Sequence, residues 1–163
     1  MDIEVYYDGC CEPVNPGGYA ACGVIIKQED KILWTTSHYV GHGALMSNNV
    51  AEYSGIITAL EYLLINQFQK NKITFYGDNM MSINQMSGTW KCRGGLYVPY
   101  FRKAKELSNM FTNIKFIWIP REQNYIADEL SKQILKNNNI KFVIQSKGSR
   151  SQPLSSETPI KGR

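Results

Sequence analysis

The chain has 163 residues, of which 43% are hydrophobic and 20% charged, values that suit one packed domain and exclude a disordered polymer. No apolar run approaches the roughly 20 residues of a membrane span, and the N-terminal residues lack the pattern of a signal peptide, so we expect a cytoplasmic protein without membrane contact. The four cysteines form no C-x-x-C pair, so we expect neither a zinc cage nor a disulfide framework. Residues 1–90 hold four basic and nine acidic residues (net −5) and residues 91–163 hold fourteen and five (net +9), an asymmetry that only mildly favours a protein binding both cations and a polyanion.

Three strands are predicted first, close together in the sequence. Residues 3–7 alternate in polarity, are rich in β-branched and aromatic side chains, and stop at Asp8. A turn rich in proline and glycine covers residues 12–18, and residues 19–27 and 31–40 give the second and third strands. The short connections predict an antiparallel meander.

Helices and strands then alternate along the chain. Ser47 offers an N-cap for a helix that continues to about residue 66. The later elements are a strand at 73–76, a short helix at 80–86, a helix from about Pro99 to 111, a strand at 115–119 and a helix at 125–136. Because each later strand follows a helix, these strands can pair in parallel. The order predicts an α/β fold with a mixed five-stranded sheet flanked by helices.

The C-terminal region differs in composition from the rest. Residues 141–144 could add a short strand, whereas residues 145–163 are rich in Ser, Pro, Lys and Gly and nearly free of large apolar side chains. Such a composition predicts a flexible basic tail. We therefore divide the chain into a domain at 1–144 and a tail at 145–163.

Four carboxylates are the main candidates for chemistry. Asp8 and Asp78 each end a predicted strand, and ligand sites in α/β sheets gather beyond strand ends. Glu52 lies early in the first helix, on the face that packs on the sheet, and Asp128 lies in the first turn of the last helix. With no lysine or arginine close in sequence, four such groups would repel one another unless a cation lay among them. Oxygen ligands suit Mg²⁺ or Mn²⁺, and two such ions can promote phosphodiester hydrolysis.

Each carboxylate alone has a simpler structural explanation, which we favour for any one of them. Asp8 and Asp78 could cap turns. Glu52 could lie at the rim of the core, and Asp128 could favour a helix N-terminus through the helix dipole. Only the set of four indicates a metal-dependent nuclease.

The motifs around these carboxylates resemble those of a known family, the type 1 ribonucleases H. The matching stretches are YDG at 7–9, NPGG at 15–18, NNVAEY at 48–53, GDN at 77–79, WIPREQN at 118–124 and ADELS at 127–131. A lone DG or GDN is a weak signal, but ordered blocks at suitable spacing over about residues 1–136 are a strong one. The resemblance implies the ribonuclease H-like fold, in agreement with the order of the predicted elements.

The resemblance also implies a reaction, the endonucleolytic hydrolysis of the RNA strand of RNA–DNA hybrids with 5′-phosphate and 3′-hydroxyl products. By position, the catalytic residues and metal ligands would be Asp8, Glu52, Asp78 and Asp128. They would hold two Mg²⁺ ions, for which Mn²⁺ can substitute. The implied partner is an RNA–DNA hybrid, and we expect the protein to act on it as a monomer.

Several polar residues match family positions that touch the hybrid. Asn15, Asn48 and Asn49 would meet the RNA minor groove, since amide side chains both donate to and accept from a 2′-hydroxyl. Turn and cap chemistry also explains Asn15 and Asn48. Ser47 matches a position that holds a DNA phosphate, although a capping role explains it equally well.

A short basic segment and a missing histidine distinguish this chain from many family members and concern substrate binding and product release. Lys91 and Arg93 lie where family members often carry a basic handle that grips the DNA strand, but the segment is short here, so we expect modest affinity. Many family members have a histidine in the loop before the last aspartate; residues 121–124 contain none, and Arg121 would steady the phosphate instead.

Two other functions stay open. The protein could be a hybrid-binding module with weak or no catalysis, although such proteins usually lose a carboxylate. It could also be a related ribonuclease H-like nuclease that acts on another nucleic acid, although the asparagines favour recognition of a 2′-hydroxyl.

Overall fold

A mixed five-stranded sheet forms the centre of the protein. The computed structural model describes residues 2–142. The strands are β1 (Ile3–Glu12), β2 (Tyr19–Gln28), β3 (Lys31–His42), β4 (Lys72–Gly77) and β5 (Asn113–Trp118). Their order in the sheet is β3-β2-β1-β4-β5. The pairs β1–β2 and β2–β3 are antiparallel, and β1–β4 and β4–β5 are parallel, which confirms the predicted sheet.

Helices connect and cover the strands. They are α1 (Asn48–Ile65), α2 (Met80–Ser87), α3 (Val98–Ser108) and α4 (Tyr125–Asn137), with a 3₁₀ turn at Arg121–Asn124 before α4. Ser47 caps α1 as predicted, because its Oγ accepts a hydrogen bond from the Val50 amide at 3.2 Å. Within residues 2–142, no helix combines the length and the apolar character needed to cross a membrane.

The two faces of the sheet pack against different helices. Alternate side chains of a strand point to opposite faces, so Val5 and Tyr7 of β1 join the main core with the buried side chains of α1. Cys10 points to the other face, where its Sγ donates a hydrogen bond to the Ser131 carbonyl oxygen of α4 at 3.1 Å. Cys10 and Leu135 belong to a second, smaller apolar cluster. Position 8 has the same parity as position 10 in β1, which places Asp8 on the α4 side.

The predicted end of the first strand was wrong. β1 continues to Glu12, because residues 8–12 keep pairing with β2, from Asp8 opposite Gly23 to Glu12 opposite Tyr19. An Asp-Gly pair is a local turn signal, but here the antiparallel partner determines the conformation. Asp8 therefore lies inside β1 and not at its end.

The C-terminal predictions have a different outcome. Lys141 and Phe142 are not in a strand. Phe142 instead packs against the apolar cluster around Cys10 and Leu135, and the Lys136 ammonium lies 5.9 Å from its ring centroid. Residues 143–144, and the tail predicted at 145–163, lie outside the described residues.

Candidate metal centre

The centre lies where two parallel strands part. β1 and β4 pair from Ile3↔Ile73 to Tyr6↔Tyr76, and no pair between them follows in the described residues. The rings of Tyr6 and Tyr76 stack with centroids 4.9 Å apart, so these two side chains leave the same face side by side. Asp8 and Asp78 each come two residues later. The register of the ladder therefore brings the two carboxylates level with each other across the opening.

A glycine brings α1 close to Asp8. A Cβ atom at Gly9 would lie 2.5 Å from the Ala51 carbonyl carbon and from the Glu52 amide nitrogen, so only glycine permits this approach of β1 and α1. The Asp8 carboxylate accepts a hydrogen bond from the Gly9 amide at 2.9 Å. The first turns of α1 thus deliver Glu52 to the opening between β1 and β4.

Three of the predicted carboxylates form a cluster. Asp8, Glu52 and Asp78 each offer a carboxylate oxygen, and these oxygens all lie within 4.8 Å of one another. Asp8 and Glu52 are fully buried, and Asp78 is partly exposed. Three like charges so close repel one another, and a divalent cation among them would relieve that repulsion. The donor set, consisting of carboxylate oxygens alone, fits Mg²⁺ or Mn²⁺.

A second glycine brings α4 to the sheet beside Asp8. Gly23 is the β2 residue paired with Asp8, and a Cβ atom there would lie 2.4 Å from the Ser131 amide nitrogen and 2.5 Å from the Ala127 carbonyl oxygen. The first turns of α4 therefore lie against this pair, and they carry Asp128. Asp128 is not part of the cluster of three.

The expectation that no lysine or arginine lies close in sequence to the four carboxylates was wrong for Asp128, which Lys132 follows four residues later. The Lys132 ammonium, one helical turn later, lies 3.4 Å from Asp128 Oδ2. Asp128 is 5% exposed and Lys132 is 4% exposed. The fourth carboxylate is thus held in a buried ion pair, an arrangement that a pattern of carboxylates alone does not reveal.

The predicted asparagines surround Glu52. Asn15 Oδ1 accepts a hydrogen bond from the Asn48 amide at 2.8 Å, so the turn after β1 is tied to the start of α1. The Asn48 side chain donates to Glu52 Oε2 at 3.4 Å. Asn49 Oδ1 accepts from Asn79 Nδ2 at 3.3 Å. These contacts hold an amide-rich rim next to the carboxylates.

A cleft of about 330 Å³ opens on the cluster. Its lining contains Glu52 and Asp78 together with four residues predicted to bind substrate. Those four are Asn15, Asn48, Asn49 and Arg121, and the remaining lining residues are Asn79, Met80 and Met81. Ser47 is not in this lining. It lies one residue before α1, where it serves as the cap.

The predicted basic handle lies at a neighbouring cleft. Lys91 and Arg93 are exposed and line it with Trp90 and Tyr97, and Met81 is shared by the two clefts. The buried Gln85 amide donates to the Lys91 carbonyl oxygen at 3.3 Å and to the Tyr97 hydroxyl at 3.0 Å. The short handle is therefore anchored to the core although it has no helix of its own.

Tyr7 lies in the main core next to the metal centre. It is fully buried, and its hydroxyl is hydrogen-bonded to Ser82 Oγ of α2 at 2.7 Å. Burial, and next the nearby Glu52 carboxylate, raise the pKa of Tyr7 well above its usual value. The phenol therefore stays neutral and adds no charge to the cluster.

Three polar residues near the centre were not given a role by the sequence. Asn79 caps α2 through Oδ1, which accepts from the Ser82 amide at 2.8 Å. Lys132 pairs with Asp128, and Asn124 contacts Asp78. Asn79 and Asn124 lie inside the matching motifs, and Lys132 follows Asp128 at helical spacing, so each had a local signal, but none indicated burial.

Comparison with known proteins assigns most of the chain to one protein family. A family model described as reverse transcriptase-like matches residues 6–134, a range that includes all four carboxylates. Among curated proteins, the bifunctional protein Rv2228c of Mycobacterium tuberculosis is 28% identical over 137 residues, which are 83% of this chain and 36% of that protein. The chain therefore spans about a third of the length of this relative.

Solved structures extend the similarity to the fold. RNase H1 from the halophilic archaeon Halobacterium salinarum NRC-1 is 27% identical with a TM-score of 0.73, over 84% of this chain and 99% of that one. LC11-RNase H1, crystallised in complex with an RNA/DNA hybrid, is 30% identical with a TM-score of 0.75, again over 84% and 99%. The similarity thus covers nearly the whole of each of these structures.

Proposed function

This chain belongs to the reverse transcriptase-like family and has the ribonuclease H fold, and on that premise we propose that it hydrolyses the RNA strand of RNA–DNA hybrids. Cleavage is endonucleolytic and leaves 5′-phosphate and 3′-hydroxyl ends. The observation that carries the proposal is the cluster of Asp8, Glu52 and Asp78, whose oxygens lie within 4.8 Å of one another. Three separate elements deliver these side chains to one point, and a stable core alone does not require that arrangement.

The cofactor in this proposal is a pair of Mg²⁺ ions, for which Mn²⁺ substitutes. Asp8, Glu52 and Asp78 hold the ions, and Asp128 takes part from the α4 side. When bound, such a pair supplies an activated water nucleophile and stabilises the leaving 3′-oxygen. Asp8 and Glu52 are buried on β1 and α1, so the fold itself positions these two carboxylates and little reorganisation would be needed for catalysis.

The residues of the cleft recognise the RNA strand. Asn15, Asn48 and Asn49 line it beside Glu52, and their amides can donate to and accept from the 2′-hydroxyl that distinguishes RNA from DNA. Arg121 lies in the same lining, where its guanidinium would hold a backbone phosphate. These roles explain why polar side chains gather on a cleft whose floor is acidic.

The DNA strand is held by the residues outside this cleft. Lys91 and Arg93 are exposed at the neighbouring cleft and can neutralise phosphates. The Ser47 hydroxyl accepts from the Val50 amide and still has its proton to donate to a phosphate. We assign catalysis to a domain at 1–144 that acts as a monomer in the cytoplasm, with added electrostatic affinity from the basic segment 145–163.

The test is cleavage of a hybrid whose RNA strand is labelled at one end. We expect internal cuts in Mg²⁺ or Mn²⁺, none in EDTA, and none by Asp8→Asn, which keeps the size of the side chain but removes its charge. Single-stranded RNA, double-stranded RNA and double-stranded DNA of the same sequence serve as matched substrates. A hybrid that binds tightly but stays intact would make the protein a binding module, and preferred cleavage of double-stranded DNA would make it a different nuclease.

A further inference from the structure

The opening between β1 and β4 is bridged by one side chain that the proposed chemistry does not use. Asn124, the last residue of the 3₁₀ turn before α4, donates from Nδ2 to the Tyr7 carbonyl oxygen at 2.9 Å and to Asp78 Oδ2 at 3.3 Å. Tyr7 is the first β1 residue beyond the last parallel pair, Tyr6↔Tyr76. Asn124 therefore contacts a backbone acceptor next to the point where the ladder stops.

The chemistry of its partners fixes the orientation of this amide. A carbonyl oxygen and a carboxylate oxygen are both acceptors, so only the NH₂ end of the amide can face them. Asn124 is 1% exposed, and its Oδ1 accepts no hydrogen bond within residues 2–142. A buried acceptor without a protein partner is costly and uncommon, so the contacts of the NH₂ end determine how this amide is oriented.

Asn124 also does not do what its position in the helix would favour. It is the N-cap residue of α4, where an asparagine oxygen commonly accepts a hydrogen bond from an amide of the first helical turn. No such side-chain bond is present in α4. The side chain is directed instead to β1 and Asp78.

The backbone near Asn124 is itself fixed to β4. The Ile119 amide donates to the Gly77 carbonyl oxygen at 2.9 Å, and the Gln123 amide donates to the Pro120 carbonyl oxygen at 2.9 Å. The Asn124 amide is thus carried by a turn attached to the end of β4 and bonded to β1. Any change in the gap between the strands must stretch one of these contacts.

We propose that Asn124 is a positioning residue for the metal centre. It sets the gap between β1 and β4 and orients Asp78 towards Asp8, so the property it controls is affinity for the divalent ions and not affinity for the hybrid. This inference rests on the proposed function, because it assumes that Asp8 and Asp78 are metal ligands. Loss of a partner that orients a ligand typically lowers metal affinity by about 10- to 100-fold.

The test compares Asn124→Ala and Asn124→Ser with Asn138→Ser as the matched control. Serine keeps a small polar side chain but is too short to reproduce the contacts that Asn124 Nδ2 makes with the Tyr7 carbonyl oxygen and Asp78, so both variants remove them while only alanine also removes the polar group. Asn138 lies at the other end of α4 and donates its amide to the Ile134 carbonyl oxygen at 2.8 Å. Circular dichroism and metal-free melting establish that each variant is folded.

Two measurements then decide the proposal. Calorimetric titration with Mn²⁺, without nucleic acid, should show binding weakened about tenfold or more in both Asn124 variants and unchanged in Asn138→Ser. Steady-state cleavage should show a raised half-saturating Mg²⁺ concentration and a lower kcat, with KM for the hybrid within about twofold of the parent. A folded Asn124→Ser that binds Mn²⁺ like the parent overturns the inference, whereas a parent protein that binds no Mn²⁺ overturns the proposed function itself.

Discussion

Two groups of carboxylates, the cluster that contains Asp8 and the Asp128 pair on the α4 side, differ in how their negative charge is balanced. The cluster brings Asp8, Glu52 and Asp78 within 4.8 Å of one another and so concentrates negative charge. On the α4 side, Asp128 has the Lys132 ammonium 3.4 Å away in a buried pair. The first arrangement gains from a divalent cation, while the second is already stable without one.

This difference assigns different tasks to residues of the same type. A cluster of like charges is costly to fold, and a protein keeps it when binding of an ion or substrate repays that cost. Removing either partner of a buried ion pair destabilises the protein, because the other charge is then left poorly solvated and without a partner. We therefore expect variants of the cluster to lose activity and the loss of Lys132 from the pair to lower stability.

The largest effect is expected in the cluster. Asp78→Asn removes one charge and one proposed ligand, so cleavage should fall by at least about a thousandfold, since bound divalent ions typically supply several kcal/mol of transition-state stabilisation. Binding of hybrid in EDTA should be unchanged or slightly tighter, because a negative charge near the phosphates is lost. Single-turnover cleavage and a filter-binding assay measure the two quantities. Substantial cleavage by folded Asp78→Asn would remove the functional distinction between the cluster and the pair.

The next effect is expected in the pair. Lys132→Met keeps the length of the side chain but leaves the Asp128 charge buried, which should lower the free energy of unfolding by about 3 kcal/mol. Asp128→Asn combined with Lys132→Met should recover part of that loss, since the buried charge is then absent. Urea unfolding measures both variants.

A surface pair provides the control for this comparison. Lys103 lies 3.7 Å from Glu61 with about half of each side chain exposed, so Lys103→Met should cost less than about 1 kcal/mol. Equal losses of unfolding free energy in the two lysine variants would mean that the Asp128 pair is no more than a surface contact.

Mn²⁺ should raise the free energy of unfolding more for Lys132→Met than for the parent, because the ion then balances the Asp128 charge in place of the lysine.

The features predictable from sequence are those with a local period or motif. Alternation in β1 and helical spacing in α1 gave the element types, and the succession of strands and helices gave a mixed sheet with antiparallel pairs first and parallel pairs later, which the structure confirms. The position of β4 beside β1 was not predicted. The end of β1 was wrong because pairing of Asp8 with Gly23 is a tertiary contact that overrides the local turn signal. Sequence motifs located the carboxylates but not their immediate partners.

Those partners depend on distances that no pattern encodes. Lys132 follows Asp128 at helical spacing, yet only the approach of α4 to Gly23 buries the pair. Asn124 has the residue type of an N-cap, and its contact with Asp78 follows from where β1 and β4 part. Both depend on how closely two elements approach, which is a property of the packed core and not of either segment alone.

The smallest effect is expected where charge holds substrate and not metal. Lys91→Ala and Arg93→Ala should each raise KM for the hybrid a few-fold and reduce the slope of log affinity against log salt by about 1, because each removes one proposed phosphate contact. Their kcat and Mn²⁺ affinity should match the parent. Lys70→Ala is the control, since Lys70 is exposed in the turn before β4, at the opposite end of that strand from Asp78. An equal change of the salt slope in all three variants would mean that the handle contributes only general surface charge. A change in Mn²⁺ affinity would mean that the handle also affects the metal centre.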